Sequence, residues 1–254
     1  MIICHTHRFI FIKTRKTASS SVEIGLSRAC GRGDVVTPLS VKSGDEALRA
    51  REGGFGPANW LKSIGEHRSP REWRRLLFRA QRAQRFSPHT TINELQRLVP
   101  AETMASYFKF TLERNPWDRA VSRYFWQKHR AERNGHTNFP ALGEYLRYLE
   151  REKPHWLSNW SHYTIGGRIA VDRVLQYGEL SKELAALQSD LGIGTSIALP
   201  SQRAKGGYRT ERQHYSELLS DADRRLVQRV CAPEIEVFGY RFETVAATLS
   251  PSRV

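Results

Sequence analysis

Two segments of the chain carry residue types that can bind an anionic molecule. The first is Lys13-Thr-Arg-Lys-Thr-Ala-Ser-Ser-Ser21. It offers two lysines, an arginine and five hydroxyls. A helix starting inside it would add the free backbone N–H groups of a first turn, which attract phosphate-like anions. The same residues also fit a plain helix start, with Ser20 and Glu23 as a capping box. The second segment is Arg114-Asn-Pro-Trp-Asp-Arg-Ala-Val-Ser122. An arginine fork and a hydroxyl eight residues on can meet on one phosphate. Alternatively, Arg114 pairs with Asp118 and Ser122 faces solvent. For acid–base chemistry the first candidate is His89, whose imidazole can accept a hydroxyl proton near neutral pH. The alternative is that it caps the helix that starts at Thr91 or is a spectator after Pro88. Glu66 and His67 are the fallback. Cys4, Cys30 and Cys231 are far apart and odd in number. They show no metal-ligand spacing and argue against a disulfide framework, so no metal is expected.

Strand–loop–helix units are needed to present these residues. Phe9-Ile-Phe-Ile12 reads as a buried strand. Val22, Leu26 and Ala29 then share a helix face, and Gly31 is a stop. Tyr107 to Leu112 is the second strand. Asn115 suits an N-cap, Pro116 the first turn, and Asp118 the positive end of the helix dipole. Val171 to Tyr177 reads as a third strand before a helix over 181–191. Helices are also expected over 91–98, 139–149 and 220–230. Residues 31–66 read as loops with short helical pieces. Between 68 and 85 there are seven arginines. They surround a Trp73/Leu76/Leu77/Ala80/Ala83 face, so this helix reads either as a surface for an acidic acceptor or as a solvated face over a core stripe. Strands alternating with helices predict an α/β fold, one domain over 1–254 with a central, mostly parallel sheet flanked by helices. Ligands in such sheets bind beyond the C-terminal strand ends, where the first segment falls.

A nucleoside-triphosphate loop needs glycines that let the backbone wrap the phosphates. There is no glycine between Phe9 and Ile24, and no acidic strand end suits magnesium. That disfavours a kinase or ATPase. Lys16-Thr-Ala-Ser-Ser-Ser21 instead resembles the 5′-phosphosulfate loop of sulfotransferases that use 3′-phosphoadenosine-5′-phosphosulfate (PAPS), and is closer to their carbohydrate-type branch and its bacterial relatives. Arg114 to Ser122 is similar to the family's 3′-phosphate motif. Pro88 to Leu95, Gln176 to Leu180, Ser201 to Tyr208 and Glu234 to Tyr240 resemble further family segments. Glu113 departs from the pattern, since that position is usually apolar, and is placed to pair with Arg114.

The resemblance implies a P-loop-like fold and in-line sulfuryl transfer without an obligatory metal, leaving adenosine 3′,5′-bisphosphate. Lys16 would stabilise charge on the leaving oxygen and His89 would act as base. Arg15, Lys16, Thr17, Ala18, Ser19, Ser20 and Ser21 would hold the 5′-phosphosulfate, and Arg114 and Ser122 the 3′-phosphate. Arg203, Lys205 and Tyr208 would cover the nucleotide. The acceptor would offer a hydroxyl or an amine and be a carbohydrate or glycolipid, met by residues 31–85 and 126–165. Trp126, Trp156 and Trp160 could stack on a sugar ring or belong to the core.

The chain has 254 residues, 39% hydrophobic and 26% charged, which excludes a disordered protein. No apolar run nears the ~20 residues of a membrane span, and the first residues lack a signal-peptide layout, so the expected location is the cytoplasm. A net charge of +14 implies anionic partners without naming one. A polyanion or nucleic-acid binder on the same fold is the alternative. No RNA-binding or C₂H₂ signature supports specific nucleic-acid recognition.

Overall fold

The computed structural model describes residues 1–200 and 213–244. In chain order the elements begin with β1 (Ile2–Cys4), β2 (Phe9–Phe11), α1 (Ser19–Ser27), β3 (Val35–Val36), α2 (Asp45–Arg51) and α3 (Pro70–Arg79). Then come α4 (Ile92–Leu98), α5 (Ala101–Ser106), β4 (Phe108–Glu113), α6 (Pro116–Arg133) and α7 (Leu142–Glu152). The rest are α8 (Trp160–Tyr163), β5 (Thr164–Ile165), β6 (Arg168–Ile169), β7 (Arg173–Gln176), α9 (Leu180–Asp190), α10 (Tyr215–Leu218), α11 (Asp221–Val230) and α12 (Ala232–Phe238).

These elements form two compact units. The first comprises residues 1–14, 18–112 and 162–200; the second comprises 15–17, 113–161 and the described residues from 213 on. The first unit holds a five-stranded sheet in the order β3-β1-β2-β4-β7. β2 and β4 run parallel, with Phe11 opposite Phe110. β1 pairs antiparallel with both β2 and β3. The sheet is therefore mixed, which corrects the mostly parallel expectation. The cause is Ile2-Ile-Cys4, an apolar run too short to announce a strand, which folds back on β2 through a turn with Arg8 at φ 50°. Val22 and Leu26 of α1 and Leu180, Leu184 and Leu187 of α9 cover the sheet residues Phe9, Phe11, Phe110 and Leu175. Gly25 leaves room on α1 for the carbonyls of Ile197 and Ala198, where a Cβ would collide.

The second unit is helical. Trp117, Ala120, Val121 and Tyr124 of α6 pack with Tyr145, Leu146 and Leu149 of α7 and Leu226 and Val227 of α11. Asn115 caps α6 by accepting from the N–H groups of Trp117 and Asp118, and Pro116 takes the first position.

α3 departs from the expected core stripe. It has no buried residue; Leu77 is 72% and Phe78 80% exposed. Ala80, in the left-handed conformation, ends it. A helical repeat shows that an apolar face exists and leaves open what that face meets.

Candidate active site

The Lys13–Ser21 loop solves its lack of glycine by another route. Lys16 (φ 62°) and Ala18 (φ 61°) both adopt the left-handed backbone that glycine usually supplies. Such strain at non-glycine residues, of order 1–3 kcal/mol each, persists where surroundings enforce it and gathers at ligand-binding turns. Ala18 is the N-cap of α1 and can offer no side-chain cap. The expected alternative, a Ser20–Glu23 capping box, is therefore absent, because Glu23 is turned to other work.

In the second unit one face of α6 organises the cationic residues. Asp118, Ser122, Trp126 and Arg130 follow at intervals of four and so lie along one side of the helix. The guanidinium of Arg114 pairs with Asp118, Nη2 at 2.6 Å and Nε at 2.8 Å. Its Nη1 donates to the carbonyl of Lys16 at 3.2 Å. The ammonium of Lys16 lies 5.4 Å from the Trp126 ring centre, and Arg130 lies 5.6 Å from the same ring. Half-buried Ser122 sits between Asp118 and Trp126 on this face. The Arg114–Asp118 pair does form, but it aims Arg114 along the face where Lys16 lies.

A buried polar network holds this geometry. Glu113, fully buried, accepts from the backbone N–H of Arg114, from Arg119 and from Asn159. Its side-chain partner is thus Arg119, five residues on from the expected Arg114. Arg119 also donates to Glu234 at 3.1 Å, and Glu234 accepts from Ser158 and from the Asn159 backbone. Asn159 then grips Arg15: its Oδ1 accepts from the Arg15 N–H and its Nδ2 donates to the Arg15 carbonyl, both at 3.0 Å. Sequence reasoning missed the roles of Asn159 and Glu234, since no local pattern marks a partner 46 or more residues away.

Burial and mutual repulsion perturb the basic groups of the second unit. Burial lowers the pKa of Arg15, and it lowers that of Arg123 to about 10, with Arg15 and Arg119 adding to the effect. His155 is held below its ordinary value by partial burial, then by Arg15, Arg123 and Lys153. Arg123 and Lys153 both lie on the Trp156 ring, at 4.5 and 4.8 Å.

In the first unit, Ser19, Ser20 and Ser21 form the buried first turn of α1. The Ser19 hydroxyl donates to the Thr14 carbonyl at 2.6 Å, while Thr17, in the second unit, is fully buried. Lys13 gives its charge to buried Glu23 at 2.6 Å and anchors the loop. His89, half-buried, donates Nδ1–H to the Lys13 carbonyl at 2.9 Å. A carbonyl can only accept, so Nδ1 carries the hydrogen in this bond. His162 meets it edge-on at 6.2 Å. The fallback pair is committed elsewhere. His67 uses Nδ1 on the Ser63 and Ile64 carbonyls and Nε2 on the Ala83 N–H. Glu66 caps Ser63 and pairs with Arg85. Arg203, Lys205 and Tyr208 lie outside the described residues.

Residues 1–241 match the family described as the sulfotransferase family. The chain is a member of that family. No curated protein and no solved structure matches it. Membership makes it a transferase of sulfuryl groups. A sulfotransferase must bind a strongly anionic donor, and Arg15, Lys16, Arg114 and Arg123 all belong to the second unit. Among the described residues no helix is long and apolar enough to cross a membrane.

Proposed function

We propose that residues 1–254 act as one P-loop-like sulfotransferase domain that uses PAPS as donor. The acceptor is a hydroxyl of a carbohydrate or glycolipid. The observation that carries this reading is the α6 face on which Arg114 and Lys16 meet. Arg114 and Ser122 hold the 3′-phosphate. The backbone and side chains of Arg15 to Ser21 hold the 5′-phosphosulfate, with Ala18 contributing only its backbone. Lys16 stabilises the oxygen left on phosphorus as the S–O bond to it breaks. The acceptor oxygen forms the new S–O bond from the opposite side, and His89 Nε2 takes its proton. Arg203, Lys205 and Tyr208 close over the nucleotide. The exposed arginines of α3, including Arg71 and Arg75, present a cationic surface suited to an acidic or lipid-linked acceptor.

Calorimetric titration with adenosine 3′,5′-bisphosphate tests the donor. Micromolar binding is expected, weakened about 100-fold or more in Arg114→Ala. Absence of binding at micromolar concentrations sinks the proposal. Salt-sensitive nucleic-acid binding with no nucleotide requirement would favour a polyanion binder instead. Turnover of sulfur-labelled PAPS against glycans, glycolipids and phenols tests the acceptor. Lys16→Ala should abolish that turnover in a folded protein.

A further inference from the structure

A second group of chemistry-bearing residues lies in the first unit, and the transfer reaction does not use it. The sulfurs of Cys4 and Cys30 and a carboxylate oxygen of Asp34 all lie within 4.8 Å of one another. Cys4 ends β1, Cys30 follows α1, and Asp34 precedes β3. Spacing along the chain concealed the group; the fold assembles it. Cys4 and Asp34 are buried, while Cys30 is half-buried and gives the cluster a side open to solvent.

Two details point to a cation. First, the Cys4 thiol donates to Asp34 Oδ2 with Sγ 3.6 Å from it. A sulfur and an oxygen bound to one zinc at a tetrahedral angle, at about 2.3 Å and 2.0–2.2 Å, are separated by about 3.5 Å. That edge already has ligand spacing. Second, Asp34 is 1% exposed, yet among the described residues its carboxylate has no Lys, Arg or His partner. Its Oδ1 accepts from the His5 N–H at 2.6 Å and its Oδ2 from the Gly31 N–H at 2.7 Å. Such backbone bonds fix a ligating carboxylate in place. They leave a buried negative charge that a cation would meet.

We propose that Cys4, Cys30 and Asp34 bind one zinc-class divalent cation, with water as fourth ligand on the Cys30 side. Binding forms two metal–sulfur bonds and one metal–oxygen bond and releases two thiol protons to solvent. Two thiolates select such an ion over magnesium or calcium. The site ties the end of α1 to β1 and to the chain entering β3. It is structural and independent of the PAPS reading.

The test uses the full chain, reduced, then freed of reductant in anaerobic buffer and titrated with Co²⁺. One equivalent should bind and give thiolate-to-cobalt charge-transfer absorption, which one equivalent of Zn²⁺ bleaches. Cys30→Ser, at a half-buried position that tolerates it, should weaken binding about 100-fold or more. Cys231→Ser should leave binding unchanged. Zinc at a hundredfold excess over its dissociation constant should raise Tm by roughly 5–10 °C, and not in Cys30→Ser. Three results each overturn the proposal: no charge-transfer band up to millimolar cobalt; a band that survives Cys30→Ser; or a denatured thiol count of one, which would make Cys4 and Cys30 a disulfide.

Discussion

Each unit of the molecule contains a buried carboxylate centre that holds part of the same loop, and the two hold it differently. In the first, Glu23 grips a side chain: it pairs with Lys13 at 2.6 Å and with Arg49 at 3.2 Å. In the second, Glu113 and Glu234 share Arg119, and the loop is held by its backbone through Asn159. The first grip is ionic and depends on protonation. The second is a pair of amide hydrogen bonds, blind to the loop's side-chain charges. Under the proposed function, in which Arg15 and Lys16 face the donor, the loop gains from being anchored without spending those charges.

Breaking the second centre should cost most. Arg119→Met leaves Glu113 and Glu234 buried without their cation and should destabilise by about 4 kcal/mol in denaturant unfolding. A loss below about 1 kcal/mol would show that the centre does not hold its unit together. Glu23→Gln should cost slightly less, about 3 kcal/mol at neutral pH. It also separates the two grips by pH. Burial pushes the Glu23 carboxyl up, but Lys13, the Met1 ammonium at 2.9 Å and Arg49 outweigh it and hold its pKa at about 2. A depressed pKa means that the contribution is present above the unfolded value near 4.5 and lost as pH falls towards 2. The natural chain should lose about 3 kcal/mol in that window, and Glu23→Gln should not. Equal acid profiles would remove the ionic half of the comparison. Asn159→Ala should cost only about 1–2 kcal/mol of stability, yet weaken adenosine 3′,5′-bisphosphate binding about tenfold. Unchanged affinity would mean that the backbone grip shapes nothing the ligand meets. Leu77→Gln on α3 is the smallest change: at 72% exposure it should stay within about 0.5 kcal/mol, measured by the same unfolding experiment.

The parts legible in the sequence are those with local causes. The β2–loop–α1 and β4–α6 units follow from short apolar runs next to an Asn115 cap and Pro116, and Thr91 and Ser220 head capping boxes as their spacing implies. What stayed hidden depends on residues distant in the chain. Glu113 looked like a partner for its neighbour Arg114, yet its carboxylate is taken by Arg119 and Asn159. β1 has three residues, too few for a pattern, and turned a mostly parallel sheet into a mixed one. The left-handed Lys16 and Ala18 carry no glycine to announce them. The period of α3 was right and its environment wrong, because periodicity does not report the presence of a partner.

The face of α6 also works as a measuring rod. Arg114 is fastened at Asp118 and Lys16 rests at Trp126, eight residues on. At 1.5 Å per residue those marks stand about 12 Å apart along the helix axis. Adding or deleting one residue between them would change that length by little but rotate the far mark by about 100°. The stretch from Asp118 to Trp126 can therefore exchange side chains only where they meet neither this face nor the buried side with Arg119, Ala120, Val121 and Tyr124, while its length is fixed. Variation among relatives should appear there as substitution and never as a gap.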